Sequence, residues 1–205
     1  MAAVRRAITG FLLCGAFFLS ASAWAAADAG PLNPSEGWRF ALGYTYLSQA
    51  RDLKDSIKRL SREHGEGGDI YNLSLNLSFQ PYYQFKNGWR AGAGIGPFLI
   101  FYGDSRHLQI PVHLTLGYSF FKDAKFSVYC RAGISWHGAW GDYIATSRPG
   151  GHAALGVECF NTRSAHIGLE AAWDGAEISL DARPGRTDHE KIQAGALTLF
   201  LYADF

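Results

Sequence analysis

The sequence predicts an all-β protein, an up-and-down antiparallel barrel of eight membrane-spanning strands, with ten as the alternative count, behind a cleaved export signal. Three observations carry this. Apolar and polar residues alternate one by one over long segments, and eight such segments follow one another. Beyond the N-terminus, no run approaches the roughly 18 apolar residues that a membrane helix needs. Glycine (24 residues) and aromatics (15%) are abundant while Met occurs once, which suits strands and tight interiors better than helices.

The first residues form a separate unit. Arg5 and Arg6 precede an apolar stretch from Ile8 to Ser22, and Ala23-Trp24-Ala25 offers small residues where a signal peptidase reads. Residues 1–25 are therefore expected to be a signal peptide and residues 26–205 the mature barrel domain, with a start near Ala26 or Asp28. Cys14 follows Leu13, too large for lipoprotein cleavage. The whole chain carries a formal charge of +1, and loss of Arg5 and Arg6 turns it slightly negative. No basic surface for nucleic acid is expected.

The segment from Ile70 to Gln80 shows the pattern most clearly. Tyr71, Leu73, Leu75, Leu77 and Phe79 alternate with Asn72, Ser74, Asn76, Ser78 and Gln80. Because a strand points successive side chains to opposite faces, one face is greasy and the other wet. Ahead of it, Trp38, Phe40, Leu42, Tyr44 and Tyr46 alternate with Arg39, Ala41, Gly43 and Thr45. Next, Trp89, Ala91, Ala93, Ile95, Leu99 and Phe101 oppose Arg90, Gly92, Gly94 and Gly96. Leu108 to Phe120 and Phe126 to Trp136 repeat the scheme, the latter against Tyr129, Arg131, Ser135 and His137. Leu155, Val157 and Cys159 face away from His152, Gly156 and Glu158. Ile167, Leu169 and Trp173 face away from His166, Glu170 and Asp174. Leu197, Leu199 and Leu201 close the series.

Length and charge decide between a soluble sheet and a barrel. Soluble strands average about 5–6 residues, whereas a tilted strand needs about 9–11 to cross a bilayer. The wet faces carry Arg39, Arg90, Arg131, Glu158, Glu170 and Asp174, too many charges for a dry core. With apolar faces toward lipid and polar faces around a narrow lumen, the difficulty disappears. Only a closed cylinder leaves no backbone edge unpaired in hydrocarbon. Across that bore the three arginines are expected to pair with the three carboxylates as a plug; a gated ion path or a proton-handling site is the functional alternative. The glycines of the wet faces make room.

Lys86-Asn87-Gly88, Lys122–Lys125 and Asn161–Ser164 read as short periplasmic turns; Arg51–Asp69, Gly138–Gly151 and Arg183–Glu190 read as longer outer loops. Aromatics gather near both ends, as headgroup belts should: Tyr82, Tyr83, Phe85, Trp89 and Phe120 at one, Tyr46, Tyr102, Trp136, Trp140, Tyr143 and Trp173 at the other. Pro81, Pro97 and Pro111 fall inside strands and are expected at bulges or boundaries, since proline cannot donate to a ladder. At Asp174-Gly175 the phase changes. A bulge explains this, and a tight hairpin giving ten strands is the alternative.

On these residues the chain resembles small eight-stranded outer-membrane proteins of the OmpA-domain and OmpX type. The final Leu197-Thr198-Leu199-Phe200-Leu201-Tyr202-Ala203-Asp204-Phe205 is similar to the terminal-Phe signal read by the barrel-assembly machinery, departing from it at Ala203. The resemblance implies a bacterial outer-membrane location and a monomer whose partners are the outer-membrane lipids, lipopolysaccharide and that machinery.

Chemistry is sparse in the sequence. No P-loop, GxSxG, CxxC or HExxH occurs, and no cofactor or metal is expected. His137, His152 and His107 fall toward the outer rim with Ser135, Ser147 and Asp142 nearby, the ingredients that lipid A-modifying barrels use. Yet no His-x-Ser-Asn segment resembles the lipid A deacylase, and Ser135-x-His137 has the reverse order, so no catalytic residue is assigned. Cys130 and Cys159 flank one outer loop and stand as a possible disulfide or as two lipid-facing thiols. Leu53, Ile57 and Leu60 recur at helical spacing among Lys54, Lys58, Arg59 and Arg62. This segment reads either as an amphipathic helix resting on headgroups or as a solvated loop.

The sequence thus leads to a non-enzymatic barrel in envelope structure or surface interaction, with an outer-leaflet lipid A-modifying enzyme or a small channel as the alternatives.

Overall fold

A computed structural model of the chain describes residues 36–65, 68–103, 105–120, 126–159, 166–181, 190–193 and 196–204. The expected signal peptide, the turns at 122–125 and 161–164, most of the link at 183–190 and Phe205 lie outside the described residues.

The elements are β1 (Gly37–Leu47), α1 (Ala50–Glu63), β2 (Tyr71–Leu75), β3 (Leu77–Gln84), β4 (Trp89–Ile95), β5 (Phe98–Tyr102), β6 (His107–Phe120), β7 (Phe126–Gly141), β8 (Ile144–Arg148), β9 (Gly150–Cys159), β10 (His166–Asp174), β11 (Glu177–Leu180), β12 (Glu190–Gln193) and β13 (Ala196–Asp204). They assemble into eight staves, because β2–β3, β4–β5, β8–β9, β10–β11 and β12–β13 are each one stave interrupted once. Every neighbouring pair is antiparallel, and the cylinder closes where β1 meets β13, with Tyr44 opposite Leu201.

Eight is therefore the strand count. Gly175 and Ala176 do not turn the chain back. The seventh stave resumes as β11, which pairs with β8 on one side and β12 on the other. Pro97 separates β4 from β5, and the alternation changes phase there. Leu99 and Phe101, expected to face outward, are buried, while Tyr102 is exposed. Pro81 sits within β3, where the ladder to β4 has partners at Phe79–Ile95 and resumes only at Tyr82–Gly92. Pro111 is accommodated inside β6 opposite His137. At the turn end, Gly88 adopts φ +94°, a left-handed conformation that glycine reaches without steric cost, and closes the turn through a bond to the Phe85 carbonyl.

The distribution of surface inverts that of a water-soluble protein. Leu114, Leu116, Ile134, Leu155, Leu169 and Leu197 are exposed, while Arg39, Gln80, His113, Glu158, Glu170 and Asp204 are buried. A continuous apolar exterior of this kind is stable only against hydrocarbon. Aromatic pairs band its two ends: Trp38–Tyr83 and Trp89–Tyr118 at the turn end, Tyr71–Tyr102 and Trp136–Trp140 at the mouth. Tyr82 and Tyr143, expected in these bands, point inward instead.

Above the apolar band the wall changes. The Gly138–Gly151 segment, expected as a loop, continues as strand: β7 runs to Gly141 and β8 returns from Ile144. β1 stops at Leu47, and the chain enters α1 instead. Leu53, Ile57 and Leu60 form the buried face of α1, packed on Ile70, Phe101, Tyr143, Ile178, Leu180 and Ile192. The helix is amphipathic as expected, but its apolar face meets the barrel mouth rather than headgroups. Burial of these three aliphatic side chains, at about 1.5–3 kcal/mol each, favours the docked helix over a solvated loop. Ser56 and Arg59 bond to Glu190, and Lys58 lies 3.6 Å from Asp69, which fixes the helix azimuth.

Candidate functional site in the lumen and mouth

Two ion pairs cross the lower bore. Arg90 on β4 meets Glu158 on β9 through both terminal nitrogens, at 2.6 and 2.5 Å. Arg131 on β7 meets Glu170 on β10 at 2.5 Å. Between them stand two tyrosines. The Tyr129 hydroxyl donates to Glu170 at 2.8 Å, and the Tyr202 hydroxyl lies 2.9 Å from Glu158 and 3.0 Å from Tyr129. Arg90 also stacks over Tyr129, 4.6 Å from its centroid. Each tyrosine ring lies directly on a glycine of a neighbouring strand: a Cβ at Gly156 would sit 2.2 Å from Tyr129, and one at Gly168 the same distance from Tyr202. The glycines are what let the rings lie flat across the bore.

Closer to the turns, Tyr82 donates to Asp204, and His166 Nδ1 lies 3.2 Å from Asp204 Oδ1. Arg39 is buried in the lumen, and its Nη2 has no hydrogen-bond partner among the described residues. Glu158, His166 and Asp204 bring one ligand atom each within 4.8 Å of one another. Their chemistry does not suit a divalent cation. Arg90 holds both Glu158 oxygens, Tyr82 takes one of Asp204, and a second guanidinium, Arg39, acts on Asp204 through space. Two arginines already balance the two carboxylates.

Toward the mouth, Asp174 is the hub. It accepts from Ser135, from His137 Nε2 at 2.9 Å and from the Ala176 amide at 2.9 Å. Gln109 Nε2 lies 2.6 Å from His137 Nδ1, so the ring is held from both sides, by Gln109 and by Asp174. His152 stacks on His113, and Ser147 donates to the His137 carbonyl. Ser135 and His137 are thus brought together, with Asp174 rather than Asp142 as the acid. Asp142 instead caps the Arg106 amide at 2.8 Å. The order of bonds is decisive for chemistry. A nucleophilic serine needs its hydroxyl on the histidine and the acid behind it. Here both sit side by side on one carboxylate, so His137 is not placed to take the Ser135 proton.

Of the six charges picked out in sequence, four form the two Arg–Glu pairs. Asp174 pairs with a histidine rather than an arginine, and Arg39 stands apart. Tyr82, Tyr129 and Tyr202 were missed as members of the network. Their signal was their position on the wet phase of their strands, where a ring has no lipid to meet.

Cys130 and Cys159 are free. Cys130 lies opposite Leu155 and Cys159 opposite Phe126, so the thiols stand four residues apart along the ladder, about 13 Å at strand rise. The disulfide alternative fails on that distance, since bridged Cα atoms lie within about 7 Å.

Two cavities of about 30 Å³ each interrupt the packing, one beside Arg90 and Tyr129, the other beside His113, His152 and Asp174. Each has room for water but not for a solute path.

No protein-family model matches the chain, and no curated protein matches it. Among solved structures it is similar to the outer membrane protein OprG from Pseudomonas aeruginosa, at 10% identity and a TM-score of 0.52, covering 84% of this chain and 96% of that one. It is equally similar to outer membrane protein W of E. coli, at 12% identity and 0.52, covering 83% and 97%. The fold is that of the small eight-stranded outer-membrane barrels. An outer-membrane barrel accounts for the apolar exterior and for the polar lumen together: lipid contacts the first and encloses the second.

Proposed function

We propose that this outer-membrane barrel is non-enzymatic and serves envelope structure or surface interaction, with its lumen acting as a rigid plug and its capped mouth as the working surface. One observation carries the reading. The run Arg90–Glu158–Tyr202–Tyr129–Glu170–Arg131 spans the bore with each of its charges paired, and the cavity beside it among the described residues is water-sized. The mouth presents the polar face of α1, where Arg51, Arg59 and Arg62 are exposed. That face is suited to the phosphates of lipopolysaccharide, which we take as its neighbour in the outer leaflet. The terminal strand ending in Phe205 is read as the element handed to the barrel-assembly machinery, and the chain as a monomer.

Both alternatives are weaker on the same geometry. A channel needs the paired charges to part, and a lipid A-modifying enzyme needs a base on Ser135. Conductance in planar bilayers and mass analysis of lipid A with and without the gene test the proposal together. It expects no conductance steps and no change in lipid A. Stepwise conductance would favour the channel, and an altered acyl or phosphate pattern that depends on His137 would favour the enzyme.

A further inference from the structure

The upper lumen holds more imidazole than a plug requires. His113 on β6 and His152 on β9 stack with their planes 1° apart and their centroids 4.7 Å apart, both buried. His113 Nε2 and both nitrogens of His152 have no hydrogen-bond partner among the described residues. A shared metal ion does not explain them, because the lone pairs of two parallel rings lie in parallel planes and do not converge.

The surrounding charges point to a proton instead. Arg131 and His137 face the pair from β7, and Glu170 and Asp174 from β10. The other walls, β1 with Thr45, β3 with Ser78 and Gln80, and β13 with Thr198, bring no charge. Arg131 is neutralised by Glu170 at 2.5 Å. Asp174 meets only imidazoles: His137 Nε2 lies 2.9 Å from its Oδ2, and no Arg or Lys pairs with it among the described residues. His152 Nδ1 is 4.0 Å from Asp174 Oδ2, just beyond a hydrogen bond. Gly94 packs against the other side of the stack, where a Cβ would lie 2.0 Å from His113 Nε2. His113 is therefore boxed in, and His152 is the ring with a destination.

We propose that the His113–His152 stack is a proton-operated latch, in which protonation of His152 parts the rings, draws His152 onto Asp174 and loosens the mouth. Two neutral imidazoles stack, whereas an imidazolium gains a charge-assisted bond to Asp174. Asp174 is the last residue of the barrel wall proper. Through the Ala176 amide it sets the start of β11, whose Ile178 and Leu180 lie under α1. An imidazolium arriving at Asp174 competes with Ser135, His137 and that amide. The stacked, capped state belongs to neutral pH and the loosened state to acid.

The test uses the mature barrel in lipid nanodiscs. Histidine ring resonances and amide hydrogen exchange, corrected for intrinsic rates, are followed from pH 7.5 to 4.5 in the wild type, His152→Gln and His113→Gln. The wild type is expected to lose protection in β11 and α1 on acidification, by at most about tenfold per pH unit for one linked proton, while the wall strand β6 stays protected. His152→Gln removes the step. If the variants fail to insert, the wild-type resonances decide alone, since the latch requires His152 to titrate together with the loss of protection. A mouth equally protected throughout the range, or a step of the same size in His152→Gln, overturns the proposal.

Discussion

Arg90 and Glu158 face each other across the bore with both guanidinium nitrogens on both carboxylate oxygens, at 2.6 and 2.5 Å, although 68 residues separate them in the chain. A bidentate pair this buried is costly to break on one side only. Glu158→Ala leaves Arg90 charged and desolvated and is expected to cost about 3–5 kcal/mol. The double variant Arg90→Met with Glu158→Leu is expected to recover most of that loss. Reversible urea unfolding in lipid bilayers measures both.

The glycines beneath the lumen rings give a second expectation. A methyl group at Gly156 or Gly168 meets a tyrosine ring at 2.2 Å, too close for the ring to stay flat. Gly156→Ala and Gly168→Ala should each cost about 1–3 kcal/mol, as overpacking of a filled core does. Alanine at Gly151, where a Cβ meets nothing nearer than 3.6 Å, is the control and should be nearly neutral.

Cap and wall should melt separately. Ile57→Ala removes a buried side chain from the cluster under α1 and should destabilise that cluster by about 2–5 kcal/mol. Cleavage by trypsin at Lys58, Arg59 or Arg62 is expected to become fast, while the folded, heat-modifiable barrel band persists on gels.

Neither cysteine is expected to cross-link. Oxidised and reduced protein should migrate identically, and Cys130, exposed on the apolar wall, should react with a membrane-soluble maleimide faster than with a charged one. A shift in migration on reduction would contradict the register of β7 against β9.

The barrel was legible in the sequence because lipid and lumen impose a period of two on every stave, and Leu108 to Phe120 shows that period without interruption. Four things were hidden. An amphipathic helix has the same pattern whether Leu53, Ile57 and Leu60 face lipid or protein, so the docking of α1 could not be read. Tyr129 and Tyr202 fall on the wet phase of their strands, but spacing does not show that their hydroxyls join the two ion pairs. The choice of Asp174 over Asp142 as partner of Ser135 and His137 depends on which staves adjoin across the bore, and spacing along the chain does not encode that. The strand character of Gly138 to Gly141 is not visible in the sequence, because above the bilayer nothing enforces a greasy face.

The outward residues touch hydrocarbon while their sequence neighbours face a closed bore. Leu116 is 61% exposed and Thr115 beside it is buried. Electron paramagnetic resonance of a nitroxide attached at position 116 in lipid bilayers tests this directly. Collisions with oxygen, which concentrates in the acyl region, should far exceed those with a water-soluble nickel complex. The reverse order, with nickel dominant at position 116, would contradict the account.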